Sequence, residues 1–341
     1  MIITKTPFRM SFFGGGTDMP EFFAEHGGAV LSTTFDKYCY VTVRSLPPFF
    51  DYKTELSYAR IERVSDPSEL EHPAVRNAMQ MTGVRDLRIT YEADLPARSG
   101  LGTSSSFAVG MLNAFHALKG EHLSKKELAD DAIRLERELC REAGGWQDQI
   151  AASFGGFNKI TFGPRADAGV ADAGGKDGGY SYQVSPLLMS EERKKRLNRN
   201  LLMFFTGFTR LSSDIQKANA GGGEEKEKRL LTMLSLVDEA ERVLVDDRRD
   251  LSDFGRLLDE TWRLKRGTGK SVTTEGIDAI YEAGRDAGAL GGKLLGAGGG
   301  GFMVFYAEPE NHDRIRAAMK DLMYIPFAFE DSGTQILYEK A

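Results

Sequence analysis

Five short stretches hold the residue types that could do chemistry. The first is Pro96-Ala97-Arg98-Ser99-Gly100-Leu101-Gly102-Thr103-Ser104-Ser105-Ser106, followed by an apolar helical pattern from Phe107 to Leu118. Two glycines allow the backbone to approach a ligand closely, and a run of hydroxyls and N–H groups leads into a helix whose N-terminal end is electropositive. That is the composition of an anion site, and polyphosphate is the obvious anion; an ordinary serine-rich helix cap needs only one or two such residues. The second stretch is Gly145-Trp146-Gln147-Asp148-Gln149, where Asp148 reads either as a helix cap or as a working carboxylate. The third is Glu136, within Leu135-Glu136-Arg137-Glu138, where a solvated charged face is the simplest reading. The fourth is Pro7-Phe8-Arg9 leading into Gly14-Gly15-Gly16-Thr17-Asp18, and the fifth runs from Lys293 through Gly296–Gly301.

Three lookalikes fail on context. Gly296–Gly301 satisfies GxGxxG, but a strand-like Phe302–Tyr306 follows it, whereas a dinucleotide fingerprint needs a helix there. Gly267–Ser271 resembles the end of a P-loop, but the first glycine of that motif would fall at Leu264, inside a helical pattern. Asp253-Phe254-Gly255 lacks the companion motifs of a protein kinase. The five histidines show no metal-ligand spacing.

These residues must be positioned by a chain of 341 residues, long enough for two domains. Apolar residues make up 41% and charged residues 28%, a balance that excludes wholesale disorder. The net charge of −6 supplies no basic field for a nucleic-acid backbone, so no nucleic-acid partner is expected. Cys39 and Cys140 are far apart and form neither a disulfide framework nor a cysteine zinc site, in keeping with a reducing cytoplasm. No targeting segment is expected, nor a membrane partner, since no apolar run approaches the roughly 20 residues of a spanning helix.

Period-two alternation predicts strands at 1–13, 35–45, 86–93 and 157–162. Helices are expected over 107–118, from a capping box at Ser124/Glu127 to about Glu142, and briefly after Gly145. Residues 163–180 are rich in Gly, Ala and Asp and read as a connecting loop. A second half begins near Glu191, with strands at 200–206, 302–306 and 334–338 and helices at 224–246, 250–266, 276–288 and 310–323. Strands and helices mix without a steady alternation, so the expected fold class is α+β.

Taken together, the runs at 96–106, 145–149 and 296–301, in that order, resemble the GHMP kinases, a family named for galactokinase, homoserine kinase, mevalonate kinase and phosphomevalonate kinase. The resemblance spans the whole chain. Thr103 stands where that family usually has serine, which keeps the hydroxyl. The opening PFRMSFFGGGTD is similar to the branch of heptose-phosphate kinases and of the kinase half of bifunctional fucokinases, as are Phe205–Ser212 and Trp262–Arg266. The Glu-His pair with which galactokinases grip galactose is absent before Thr17-Asp18.

The resemblance implies a two-domain fold: an N-terminal ATP-binding domain over 1–190, a ferredoxin-like C-terminal domain over 191–341, and the active site in the cleft between them. It implies ATP and Mg²⁺, with Pro96, Ser99, Gly100, Leu101, Gly102, Thr103, Ser104, Ser105 and Ser106 around the triphosphate and Ser104 and Glu136 as Mg²⁺ ligands. Asp148 matches the aspartate that accepts the proton of the attacking hydroxyl, and Arg9 the basic residue beside it that stabilises developing charge. Gly16 and Asp18 would line the sugar pocket. Arg210 and Lys265 would hold a phosphate on the acceptor, and Gly298 and Gly299 would belong to a glycine loop packed against the phosphate loop and the reacting centre. The implied reaction is transfer to the anomeric hydroxyl of D-glycero-D-manno-heptose 7-phosphate; L-fucose or another free sugar is the alternative acceptor, and a non-catalytic sensor of sugar or nucleotide the alternative of another class. The expected partners are a sugar phosphate and ATP; a homodimer is left open.

Overall fold

A computed structural model of the chain describes residues 1–164, 179–207 and 223–340. In chain order the strands are β1 (Ile2–Phe13), β2 (Gly28–Ser45), β3 (Thr54–Ser57), β4 (Ile61–Val64), β5 (Leu87–Ala93), β6 (Asn158–Pro164), β7 (Tyr180–Pro186), β8 (Leu201–Phe205), β9 (Gly291–Leu294), β10 (Phe302–Tyr306), β11 (Met323–Ile325), β12 (Phe329–Glu330) and β13 (Gln335–Glu339). The helices are α1 (Pro20–His26), α2 (Pro73–Thr82), α3 (Thr103–Leu118), α4 (Lys125–Ile133), α5 (Gln147–Phe154), α6 (Glu191–Arg199), α7 (Glu224–Val245), α8 (Ser252–Arg266), α9 (Glu275–Asp286) and α10 (His312–Ala318).

Two sheets organise these elements. The larger runs β13-β1-β2-β5-β3-β4, with β12 and β6 also on β2 and β7 on β6; the smaller is antiparallel in the order β11-β8-β10-β9. Pairing in the larger sheet is antiparallel except between β3 and β5. The fold is therefore α+β, as the mixed pattern predicts. The last strand, β13, returns to pair with β1 at the other end of the chain.

Strand β1 is the spine of the molecule. From Thr6 onward its residues are buried, with α3 packed on it and α7 and α8 packed on it as well. On the α3 side a core forms from Val41, Val43, Ile89, Met111, Leu112 and Phe115. On the other side Phe12 and Phe13 both meet the edge of Phe254 of α8, at 5.3 and 5.2 Å between ring centroids, within the favoured range for aromatic pairs. Trp262, Tyr281 and Phe305 belong to a third core between the small sheet and its helices.

Several boundaries differ from the expected ones for local reasons. Helix α3 starts at Thr103 rather than Phe107: Gly102 takes a left-handed conformation (φ 72°) that turns the chain into the helix, and the hydroxyls behind it find partners inside the protein. The capping box at Ser124 and Glu127 forms, but the helix it opens does not run on as an α-helix to residue 142; after Ile133 it widens into a π-helical turn, Arg134–Leu139. The hairpin β3–β4, helix α2 and helix α6 lie where no element was expected. Of the expected loop 163–180, residues 163 and 164 end β6, residue 180 begins β7, and 165–178 lie outside the described residues.

Candidate active site

The loop before α3 is held by its own contacts. Ser99 donates from Oγ to the Pro96 carbonyl at 2.7 Å, and the Arg9 N–H donates to the Leu101 carbonyl at 3.1 Å, tying the loop to β1. Leu101 is fully buried and Thr103 is buried at the helix start. The hydroxyl run divides by direction. Ser106 donates to the Pro7 carbonyl at 2.9 Å and Ser105 to Glu136 at 2.7 Å, so both point into the protein, while Ser104 is exposed. The N–H groups of the first turn of α3 have no intrahelical acceptor, which leaves them free for an anion.

Against this loop sits an ion pair. Arg9 Nε donates to Asp148 Oδ1 at 2.7 Å and Nη2 to Oδ2 at 2.9 Å, a two-pronged geometry, while Nη1 donates to the Gly100 carbonyl at 2.6 Å. The side chain of Arg9 is buried, whereas Asp148 keeps 26% of its side-chain surface open, so the carboxylate is the reachable member. A Cβ on Gly102 would lie 3.2 Å from Arg9 Cγ and 3.3 Å from Asp148 Cγ, closer than ordinary packing. Asp148 lies in the first turn of α5, where the helix dipole favours negative charge.

Asp18 is the second carboxylate here. It accepts from the N–H of Gly16 at 2.9 Å and from that of Gln147 at 3.4 Å, and its own carbonyl accepts from Trp146 at 3.2 Å. A side chain at Gly145 would collide with the Asp18 carboxylate, which explains a glycine at that step. Burial pushes the Asp18 carboxyl above its ordinary range, and the charge of Asp148 adds to the effect. Lys265 of α8 joins the same group. It is buried, its Nζ donates to the Gly296 carbonyl, and it is pulled down to about 8 by burial and by the repulsion of Arg9, with Asp18 and Asp148 acting the other way. Its charged neighbours are thus Arg9, Asp18 and Asp148.

Glu136 is carried by the π-helical turn, which rotates it off the charged face of its helix and into the protein. It accepts at Oε2 from both Ser105 and the Gln149 amide. Burial, reinforced by Glu142, raises its carboxyl to about 8. A buried carboxyl that holds its proton at neutral pH lacks a neighbouring cation, and a divalent ion would supply one. Among the described residues no group of three or more His, Cys, Asp or Glu could form a protein cage for a metal. Glu136 is a hard oxygen donor of the kind taken by Mg²⁺, an ion that completes its shell with phosphate oxygens and water; the hydroxyl in contact with it is that of Ser105, while Ser104 is exposed.

The glycine loop after β9 meets the loop before α3 at Leu295, Gly296 and Gly301. A side chain at Gly296 would collide with the backbone of Gly100, and one at Gly301 with the Ser99 carbonyl. Gly298 and Gly299 lie elsewhere: Gly299 donates to the Val272 carbonyl at 2.9 Å, and a Cβ on Gly298 would sit 2.6 Å from that oxygen. These two glycines pack on residue 272, not on residues 96–106. Arg210 lies outside the described residues. Two side chains at the site fall within stretches singled out in the sequence but carry no role there, Gln149 against Glu136 and Lys293 beneath β1; the contact that defines each is with a partner distant in the chain.

Comparison with known proteins follows the same lines. Residues 70–156 match the family model described as GHMP kinases N terminal domain, and residues 237–325 the one described as GHMP kinases C terminal. The chain is 30% identical to a Campylobacter jejuni D-glycero-alpha-D-manno-heptose 7-phosphate kinase, over 98% of both chains. It is 26% identical to a bifunctional fucokinase/GDP-fucose pyrophosphorylase of Arabidopsis thaliana, over 93% of this chain but 31% of that longer protein. In fold it matches the crystal structure of a Bacteroides thetaiotaomicron protein titled D-glycero-D-manno-heptose 1-phosphate kinase, with a TM-score of 0.77 at 24% identity and full coverage of both chains. Among the described residues no helix is long and apolar enough to cross a membrane.

Proposed function

The chain belongs to the GHMP kinase family and is an ATP-dependent sugar kinase; from that premise we propose that it transfers the γ-phosphoryl group of ATP to the anomeric hydroxyl of D-glycero-D-manno-heptose 7-phosphate, giving the 1,7-bisphosphate. The observation that carries the reading is the Arg9–Asp148 pair seated against Gly102 at the head of α3. It supports the reading because a reachable carboxylate and a fixed cation lie beside the loop that would hold the phosphates.

Phosphoryl transfer asks a protein chiefly for positioning and for neutralisation of charge on the transferring group. In this reading the first-turn N–H groups of α3 and the backbone of 99–102 bind the triphosphate. Arg9 holds Asp148 by both oxygens, and each oxygen keeps a lone pair that can accept the acceptor's hydroxyl proton. An anomeric hydroxyl is more acidic than an ordinary alcohol, so this carboxylate suffices as base. Arg9 and Lys265 face the charge that develops on the transferred group. Asp18, held by Gly16 and Gln147, orients sugar hydroxyls. Glu136 and Ser104 would hold Mg²⁺, which when bound supplies charge neutralisation on the phosphates.

Support for a phosphorylated acceptor comes from the likeness to the Campylobacter jejuni kinase along the whole chain and from Lys265, a buried amine beside Asp18 and Asp148 that donates to the Gly296 carbonyl and, among the described residues, has no carboxylate within ion-pair distance. Arg210 would add a second cation. L-Fucose is the second reading, supported by the match to the plant fucokinase. ADP release with MgATP against heptose 7-phosphate, L-fucose, mannose, galactose and mevalonate separates the two, with Asp148→Asn as blank. Turnover confined to heptose 7-phosphate supports the proposal; turnover on a free sugar in its place overturns the acceptor and keeps the kinase.

A further inference from the structure

Strand β1 does not pair evenly with β2. Its register shifts twice, between Pro7 and Phe8 and again between Ser11 and Phe13. A bulge of this kind takes backbone groups out of the ladder and turns the strand. The second bulge lies between Arg9 and the Gly14–Asp18 turn, so any play in it would move both sides of the acceptor site.

The carbonyls at that bulge are not left open. Lys293 Nζ donates to the carbonyl of Ser11 at 2.8 Å and to that of Phe12 at 3.0 Å. Lys293 comes from β9, in the other sheet, and its side chain is 1% exposed. A buried ammonium is costly, and here no carboxylate offsets it: its charged neighbours are Lys265 and Arg9, both cations. Burial and these two charges hold the amine well below the ordinary lysine range. An amine retains two N–H donors even when uncharged, so both carbonyls stay satisfied in either protonation state. A residue wanted only for packing would be apolar at this position.

We propose that Lys293 is a positioning residue for phosphoryl transfer: it clamps the bulge of β1 from the opposite sheet and thereby fixes Arg9 on one side of the bulge and Asp18 on the other relative to Asp148. This inference rests on the kinase reading above. Replacement by an apolar side chain leaves two buried carbonyls without a donor and frees the bulge. A displacement of about 1 Å at a reacting centre costs on the order of a hundredfold in rate.

The test is Lys293→Met in the full chain, with two readouts. The first is steady-state kinetics with MgATP and heptose 7-phosphate, where kcat falls by about a hundredfold while KM for ATP stays within about threefold. The second is amide hydrogen exchange of the unliganded protein, where exchange quickens across residues 8–20 and stays unchanged over α7 and α9. A kcat within about threefold of the parent overturns the proposal. Exchange that quickens throughout the chain also overturns it, since that marks a general fold role. If Lys293→Met does not fold, Lys293→Arg decides: its forked donors can serve both carbonyls, and kcat within about tenfold supports the clamp. A folded Lys293→Arg with unchanged exchange at 8–20 but with kcat lost overturns it. If the parent protein does not turn over heptose 7-phosphate, the acceptor reading fails by itself; the exchange measurement then decides, local quickening supporting the clamp and no change refuting it.

Discussion

Arg9 and Asp148, 139 positions apart in the chain, meet in a two-pronged ion pair with N–O distances of 2.7 and 2.9 Å. The pair joins β1 to the first turn of α5, and a third Arg9 nitrogen reaches the Gly100 carbonyl. One arginine therefore aligns the carboxylate with the loop that would carry the phosphates. If Asp148 is the proton acceptor, Asp148→Asn removes that capacity and keeps the shape. Turnover should fall by about 10³-fold, within the usual range for loss of a general base, with ATP affinity within a few-fold. Single-turnover rates alongside an ATP titration check this, and near-normal turnover contradicts it.

Glu136 yields a proton-linkage prediction. Its carboxyl is raised to about 8 from an ordinary 4.5, so at pH 7 the unliganded protein holds that proton. A cation bound at Glu136 requires the ionised form, so binding of MgATP should release close to one proton at pH 7 and almost none at pH 9. Calorimetry in buffers of different ionisation enthalpy measures the number; release that persists in Glu136→Gln argues against the assignment. The same shift sets the sign of a stability effect. A carboxyl raised on folding stabilises the fold below its unfolded value and loses that contribution as pH rises through its folded one. Without Mg²⁺, the stability difference between the parent and Glu136→Gln should therefore move against the parent between about pH 4.5 and 8.

The contact between the two glycine loops is steric and can be tested as such. Gly296 has φ 79° and faces the backbone of Gly100, so Gly296→Ala carries both a left-handed strain and a collision. We expect a loss of about 1–3 kcal/mol and weaker ATP binding, since Gly100 must shift. Gly163→Ala, with nothing within 4 Å of the added Cβ, should stay within about 0.5 kcal/mol. Equal effects in thermal unfolding would show that the loop contact carries no weight.

Lys265 is pulled down to about 8, so it keeps its charge at neutral pH and loses it as pH rises through that value. If it binds the acceptor's phosphate, KM for heptose 7-phosphate should be flat from pH 7 to about 8 and climb above it. Lys265→Arg should hold the profile flat to higher pH, because the guanidinium stays charged. Lys265→Met should raise that KM by about 30-fold or more at pH 7, as removal of one partner of a buried charge contact does. An unchanged KM in Lys265→Met would place the acceptor's phosphate elsewhere.

Much of this arrangement can be read in the chain before any fold is known. The glycines and hydroxyls of 96–106 sit ahead of a helix, as their local chemistry predicts, and the capping box at Ser124 sets the start of α4 where it is found. What stays hidden depends on pairing. Glu136 reads as part of a charged face because helical periodicity assumes 3.6 residues per turn, and the π-helical turn breaks that period at the residue itself. Ser105 and Ser106 share the composition of Ser104, yet α3 turns them inward, a direction fixed only once the helix start is known. Gly298 and Gly299 look like part of one glycine loop with Gly296, but the loop curls and brings them to Val272. Lys293 opens one of the stretches singled out, but its role stays hidden, since its partners are the Ser11 and Phe12 carbonyls at a register shift of a distant strand.

The most direct test is to identify the product. After incubation with MgATP and D-glycero-D-manno-heptose 7-phosphate, phosphorus NMR with proton coupling should show the original C7 phosphate unchanged. It should also show one new phosphate coupled to the anomeric proton. A new phosphate on any other position, or a heptose 7-phosphate that stays unmodified while a free sugar is phosphorylated at C1, would contradict the account.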